Sequence, residues 1–157
     1  MKDLILNSLK EAVRELIEKF NDKIIALGLF GSIARGEATE KSDVDIVVIV
    51  RNWERSMDRR FKIYDILWKY LKRDITLIDV DYDVAKGILE GRINLTTTML
   101  NILYDCIVVY DKHGILGELV KEVRKYIKRE GLVRYRVGRA YGWKRISEKS
   151  DEQYDKT

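Results

Sequence analysis

Residues 28–50 read GLFGSIARGEATEKSDVDIVVIV, and the way this stretch divides decides the fold. Lys23 to Phe30 (KIIALGLF) is an apolar run of strand length, and Val44 to Val50 is almost purely β-branched, the composition of a second strand. Between them Gly31 to Ser42 is small, polar and charged, which suits a loop holding a short helical turn. Gly31 and Ser32 follow the first strand directly. Glycine there lets backbone N–H groups approach an anion, and the serine hydroxyl adds a donor, a combination that suits a phosphate. Asp43 and Asp45 stand two apart at the mouth of the second strand, so both side chains leave the same face. Two carboxylates that close repel unless a cation lies between them, and hard oxygen ligands of this kind suit Mg²⁺ carried in with a nucleotide's phosphates.

Outward from this stretch, the periodicity predicts an amphipathic helix over residues 3–20, with Leu4, Leu9, Val13, Leu16, Ile17 and Phe20 on one face. Asn52 to Lys72 reads as a helix whose stripe includes Trp53, Phe61, Ile63, Ile66, Leu67 and Leu71, and Asp74 to Val80 as a third strand. Residues 84–103 read as helical with an interruption at Gly91, Tyr104 to Tyr110 as a fourth strand, and residues 115–129 as a charged helix ended by Gly131. Leu132 to Ile146 places Val133, Val137, Ala140 and Tyr141 on one helical face, so the C-terminal extension is expected to be helical. Residues 147–157 carry no apolar period and are expected to be disordered. The fold class is α/β (α+β): a mixed, mostly antiparallel sheet of four or five strands backed by helices on one face. The expected division is a body over residues 1–110, a basic helical extension over 111–146 and the tail.

Composition narrows the function. The 157 residues fit one domain, and the single cysteine, Cys106, excludes a disulfide framework, a four-cysteine zinc site and a CxxC redox pair. No run approaches the about eighteen apolar residues of a membrane span, and the charged start MKDLILNSLKEAVREL is unlike a signal peptide, so the expected location is cytoplasmic, with no membrane partner. Net charge is +4, unevenly spread. Residues 1–120 hold 18 Lys and Arg against 20 Asp and Glu, a balance of −2, while the remaining 37 residues hold 12 against 6, a balance of +6. A slightly acidic body with a basic C-terminal region suggests an anionic partner or a protein with an acidic face.

A phosphate cradle beside a carboxylate pair supplies the parts that nucleotidyl transfer requires. A third carboxylate normally completes such a site. Asp74, at the start of the third strand, is the preferred candidate and Asp79 the rival; the two lie on opposite faces of an alternating strand, so only one can point at the metals.

Gly31-Ser32, ten intervening residues and then Asp43-Val44-Asp45 closely resemble the motif of the DNA polymerase β-like nucleotidyltransferase superfamily. The surrounding FGSIARGEATEKSDVDIVV is similar to its small prokaryotic branch, the minimal nucleotidyltransferases. The resemblance implies that Gly31 and Ser32 hold the triphosphate, that Asp43 and Asp45 bind Mg²⁺, and that Asp74 binds a second metal and helps activate an acceptor hydroxyl. Arg35, Lys41 and Ser42, in the same loop, are candidate nucleotide contacts. The family sets its third carboxylate between apolar neighbours, as Ile78-Asp79-Val80 does, which keeps Asp79 as the alternative third ligand. The implied activity is Mg²⁺-dependent transfer of a nucleoside monophosphate, AMP from ATP, to a hydroxyl such as a tyrosine of a HEPN-domain toxin, which would make this chain the antitoxin. The alternatives are transfer to a small molecule, or a non-catalytic nucleotide-, protein- or RNA-binding module.

Other features carry less. His113, the only histidine, sits in a DKHG turn with no second His or Cys nearby, against a transition-metal site. Asp79, Asp81 and Asp83 lack the glycine and closing glutamate of a calcium loop. RYRVGRAYGWKR (134–145) interleaves basic and aromatic residues in a pattern suited to RNA, although aromatics packed on the domain are the favoured reading.

Overall fold

The computed structural model describes residues 1–146. The tail expected to be disordered, residues 147–157, lies outside them. Helix α1 (Lys2–Phe20) leads through a short 3-10 turn into β1 (Ile24–Phe30), the one-turn helix α2 (Gly31–Arg35) and, after the polar loop, β2 (Val44–Val50). Helix α3 (Met57–Leu71) crosses over to β3 (Ile75–Asp81), followed by α4 (Tyr82–Leu89), α5 (Thr97–Tyr104), β4 (Ile107–Asp111), α6 (Ile115–Arg129), β5 (Leu132–Val137) and β6 (Ala140–Arg145).

The first four strands form one mixed sheet in the order β3-β2-β1-β4, antiparallel except for the β2–β3 pair. A parallel pair needs a crossover of a dozen or more residues, and α3 supplies it. Side-chain caps fix where the helices begin. The Ser56 hydroxyl accepts from the Arg59 N–H at 3.0 Å, so α3 starts at Met57 and not at Asn52. Thr96 caps α5 in the same way, and the Asp111 carboxylate accepts from the Leu116 and Gly117 N–H groups at the start of α6.

Helices cover both faces of the sheet, where the sequence reading placed them on one. On the first face α1 and α3 bury Leu9, Leu16, Ile63 and Leu67 against Leu27, Leu29, Ile46, Val48 and Leu77. On the other, α4, α5 and α6 bury Ile88, Leu103, Leu116, Leu119 and Val123 against Ile25, Val47 and Ile49. Each fully buried leucine contributes about 1.5–3 kcal/mol relative to exposure. The buried face of α1 runs through Ile5, while Leu4 points outward at 73% exposure. On α3, Phe61 points out and the buried set is Ile63, Ile66, Leu67 and Leu71, with Arg59 fully enclosed among them.

The C-terminal segment departs furthest from expectation. Helix α6 forms as read, but residues 132–145 fold as an antiparallel hairpin, with Arg134 opposite Trp143 and Arg136 opposite Tyr141. The tip is the two-residue turn Gly138-Arg139, with Gly138 at φ 61, the left-handed position that a tight hairpin turn asks of its first residue. Leu132, Arg134, Arg136, Tyr141 and Trp143 share one face. That face is held to the domain: the Trp143 indole N–H donates to Asn101 at 2.9 Å, and Trp143 meets Tyr104 edge-on at 5.1 Å.

Candidate active site

The antiparallel register pairs Phe30 with Asp45, so the end of β1 lies beside the start of β2 and Gly31 abuts the carboxylate pair. Gly31 has φ +74, and a Cβ built on it would collide with the Asp45 carboxylate. A glycine is therefore required twice at this point, by backbone conformation and by space. Replacing it with alanine is expected to cost about 1–2 kcal/mol for the left-handed backbone. It should also lower activity far more than stability, because Asp45 is the group that must move aside. Denaturant unfolding run next to a transfer assay checks this, and a variant losing only stability would refute it.

Asp43 is exposed and Asp45 half-buried. The parallel register places Thr76 of β3 next to Asp45, and the Thr76 hydroxyl lies 3.4 Å from an Asp43 oxygen, a long hydrogen bond. Burial, with the charge of Asp43 added, pushes the Asp45 carboxyl above the usual carboxylate range, against the pull of the Thr76 hydroxyl and Arg35.

Asp79 leaves the opposite face of β3 and packs against α3. Its Oδ2 accepts from Arg59 Nε at 2.9 Å, and its Oδ1 lies 3.3 Å from Arg60 Nη1. Asp74 sits just before β3, exposed, and its carbonyl accepts from the Val44 N–H at 2.9 Å. Its backbone thus runs beside Asp43, but the residue does not line the cavity described next. Among the described residues no three His, Cys, Asp or Glu side chains gather into a metal-binding group, so Asp43 and Asp45 stand as a pair.

Asp43 and Asp45 open onto a polar cavity of about 610 Å³, which Ser32, Arg35, Lys41 and Ser42 also line, together with Arg136 and Arg139 from the hairpin. Ser42 shapes the loop, its hydroxyl accepting from the Thr39 N–H at 2.9 Å. Arg73 braces the loop from outside by donating to the carbonyls of Glu40 and Ser42. Arg35 is engaged by Glu37 at 2.9 Å and Asp105 at 3.5 Å and lies over the Tyr141 ring. Tyr141 and Trp143 are turned toward the domain, the packing favoured for these aromatics from the sequence, and Arg134 sits between Tyr104 and Tyr141 while pairing with Asp105 at 2.6 Å.

Sequence reasoning missed Thr76, Arg136 and Arg139 as members of the site. Thr76 carries no charge to single it out, and only the parallel register brings it beside Asp45. The two arginines follow from the hairpin, whose signal was the Gly-X turn between two runs of alternating residues.

Residues 7–97 match the nucleotidyltransferase domain family. A chain of Methanocaldococcus jannaschii, by name a candidate protein adenylyltransferase, is 30% identical over 132 residues, 80% of this chain and 85% of that one. A second from the same organism, named likewise, is 36% identical over 85 residues, 53% of this chain and 81% of the relative. Among solved structures, a toxin–antitoxin crystal structure with AMP-PNP superposes with a TM-score of 0.52 at 13% identity, covering 94% of this chain and 98% of that chain, a likeness of fold. The chain belongs to the nucleotidyltransferase family. Among the described residues no helix is long and apolar enough to cross a membrane.

Proposed function

We propose that this nucleotidyltransferase moves AMP from ATP to a hydroxyl of a partner protein, a tyrosine of a HEPN-domain toxin, and so acts as its antitoxin. The observation that carries the reading is the Asp43–Asp45 pair facing a polar cavity lined also by Arg35, Lys41, Arg136 and Arg139, with Glu37 the one further carboxylate on its wall. The family membership and the names of the relatives support it.

The donor set fits Mg²⁺. Two carboxylates at the entry of β2 present hard oxygens, Gly31 leaves no side chain against Asp45, and burial, with the charge of Asp43 behind it, raises the proton affinity of Asp45, a cost that a bound cation offsets. Magnesium keeps several waters and takes one or two protein carboxylates plus phosphate oxygens, so Asp43 and Asp45 suffice for an ion that arrives with the nucleotide. When bound, the ion neutralises charge on the phosphates and on the departing pyrophosphate. The GS turn holds the triphosphate, and Lys41 supplies a positive charge to it. The acceptor oxygen bonds to the α-phosphorus, the bond to the β-phosphate breaks, and pyrophosphate leaves. We assign Asp74, exposed at the mouth of β3, to receiving the proton of the acceptor hydroxyl and to holding a second ion where one is used.

The test is to incubate the chain and a HEPN protein with Mg²⁺ and ATP labelled at either the α- or the γ-phosphate. Label from the α-position alone is expected on the partner, and Asp43→Asn is expected to lower its rate by about 10³-fold, the scale of losing one charge-stabilising group. Label from the γ-position would indicate phosphorylation. No protein label with any divalent metal would refute the reading.

A further inference from the structure

The cavity has a wall that the motif does not supply. We infer that Arg139, at the tip of the C-terminal hairpin with Arg136 beside it, grips the terminal phosphates of the nucleoside triphosphate, which makes the hairpin part of the nucleotide site. The inference rests on the nucleotidyl-transfer reading above and extends it to residues outside the 7–97 match.

The first support is charge. A triphosphate brings several negative charges to a cavity that already holds Asp43, Asp45 and, on its wall, Glu37, so free cations must face it. Arg35 is committed to Glu37 and Asp105. Arg139 lines the cavity and has no hydrogen-bond, ion-pair or ring partner among the described residues. Arg136 is held in place by its Nε donating to the Gly138 carbonyl at 2.8 Å, which ties it to the turn that carries Arg139. A planar guanidinium suits two phosphate oxygens at once, an arrangement a lysine ammonium does not reproduce.

The second support is anchoring. The Tyr141 hydroxyl is 3.1 Å from both carboxylate oxygens of Glu37, which follows α2 in the polar loop before β2. Arg35 and the Tyr141 hydroxyl hold Glu37 below the usual carboxylate range, so it is ionised at neutral pH and the clip persists. Asp105 receives Arg35 and Arg134 together, joining the loop to β5, and the Asn101 side-chain amide donates to the Tyr141 carbonyl at 3.2 Å. A hairpin fastened at these points presents its tip with little ordering left to do, which is what makes a charged contact effective.

The experiment is calorimetric titration of wild type, Arg139→Ala and Arg139→Lys with Mg²⁺ and either a non-hydrolysable ATP analogue or AMP. Arg139→Ala is expected to weaken the triphosphate about 10–100-fold, the range for a hydrogen bond between charged groups, and to leave AMP unchanged. Arg139→Lys should recover part of the loss. The position is exposed and at a turn tip, so the variant is expected to fold, and circular dichroism checks that it does. Normal triphosphate binding by Arg139→Ala, or equal losses for both ligands, overturns this inference while the transfer reading stands. A wild type that binds neither nucleotide overturns both.

Discussion

Asp45→Asn is expected to cripple nucleotide transfer while raising the thermal midpoint of the metal-free protein. Burial comes first among the causes that lift the Asp45 carboxyl above its ordinary value of 3.8, with repulsion from Asp43 behind it. An acid whose folded value is raised keeps its proton in the folded chain over a range of pH where the unfolded chain has already lost it. Stability therefore falls as pH rises from about 3.8 through the folded value, and above that window the ionised carboxylate remains a fixed cost. Asparagine carries no such charge. Its midpoint in chelator at neutral pH should exceed that of wild type by up to a few degrees, at roughly 2–4 °C per kcal/mol for a chain of this size, and the gap should close toward pH 4. Added Mg²⁺ together with a non-hydrolysable ATP analogue should raise the midpoint of wild type more than that of the variant, because a ligand stabilises only the state that binds it. Transfer should drop by about 10³-fold. Equal midpoints in chelator would show that the ionised Asp45 carboxylate costs the fold nothing, and equal stabilisation of both proteins by Mg²⁺ and nucleotide would place the ion elsewhere.

Sequence made this pair legible because its information is local. Strand alternation fixes the common face of Asp43 and Asp45, and a glycine at a strand end followed by serine announces a turn. What encloses the pair is not local. The register that sets Thr76 beside Asp45 depends on the length and packing of α3, and no spacing along the chain states it. The covering of both sheet faces did have a signal, since Ile46–Val50 is apolar at every position, the pattern of a strand with no solvent side. In the hairpin two periods competed. Val133, Val137, Ala140 and Tyr141 fit a helical face, yet LVRYRV and AYGWKR also read as β-branched and aromatic strands around a Gly-Arg turn, and that turn decides it. A two-residue loop closes the hairpin cheaply, whereas Gly138 and Gly142 would each weaken a helix by about 1 kcal/mol relative to alanine. Asp79 shows the opposite failure. Its local pattern, a carboxylate between apolar neighbours, matches a family signature, but the residue that claims it lies twenty positions earlier.

That residue is Arg59, and its loss should have the largest effect on stability of any single change considered. Its side chain is fully enclosed and Asp79 is almost so, while Asp81 is 40% exposed. Arg59 Nε donates to Asp79 at 2.9 Å, and Nη1 donates to Asp81 at 2.6 Å and to the Trp53 carbonyl at 2.7 Å. Nη2 lies 2.8 Å from the same Asp79 oxygen but makes no well-aligned hydrogen bond. Arg59→Met leaves a buried carboxylate with, among the described residues, only the half-exposed Arg60 paired to it, and breaking such a pair from one side costs about 3–5 kcal/mol, or roughly 10 °C in midpoint. Adding Asp79→Leu should return most of that, because two apolar groups of similar volume replace a buried ion pair at little net cost. The single variant Asp79→Asn then separates the two roles weighed for this carboxylate. If Asp79 ties β3 to α3, the variant is less stable, but at a temperature where it is folded it binds Mg²⁺ and nucleotide as wild type does. If Asp79 serves as a metal ligand, nucleotide binding fails at every temperature, and the arrangement on the α3 face of the sheet would have to open for the carboxylate to reach Asp43 and Asp45.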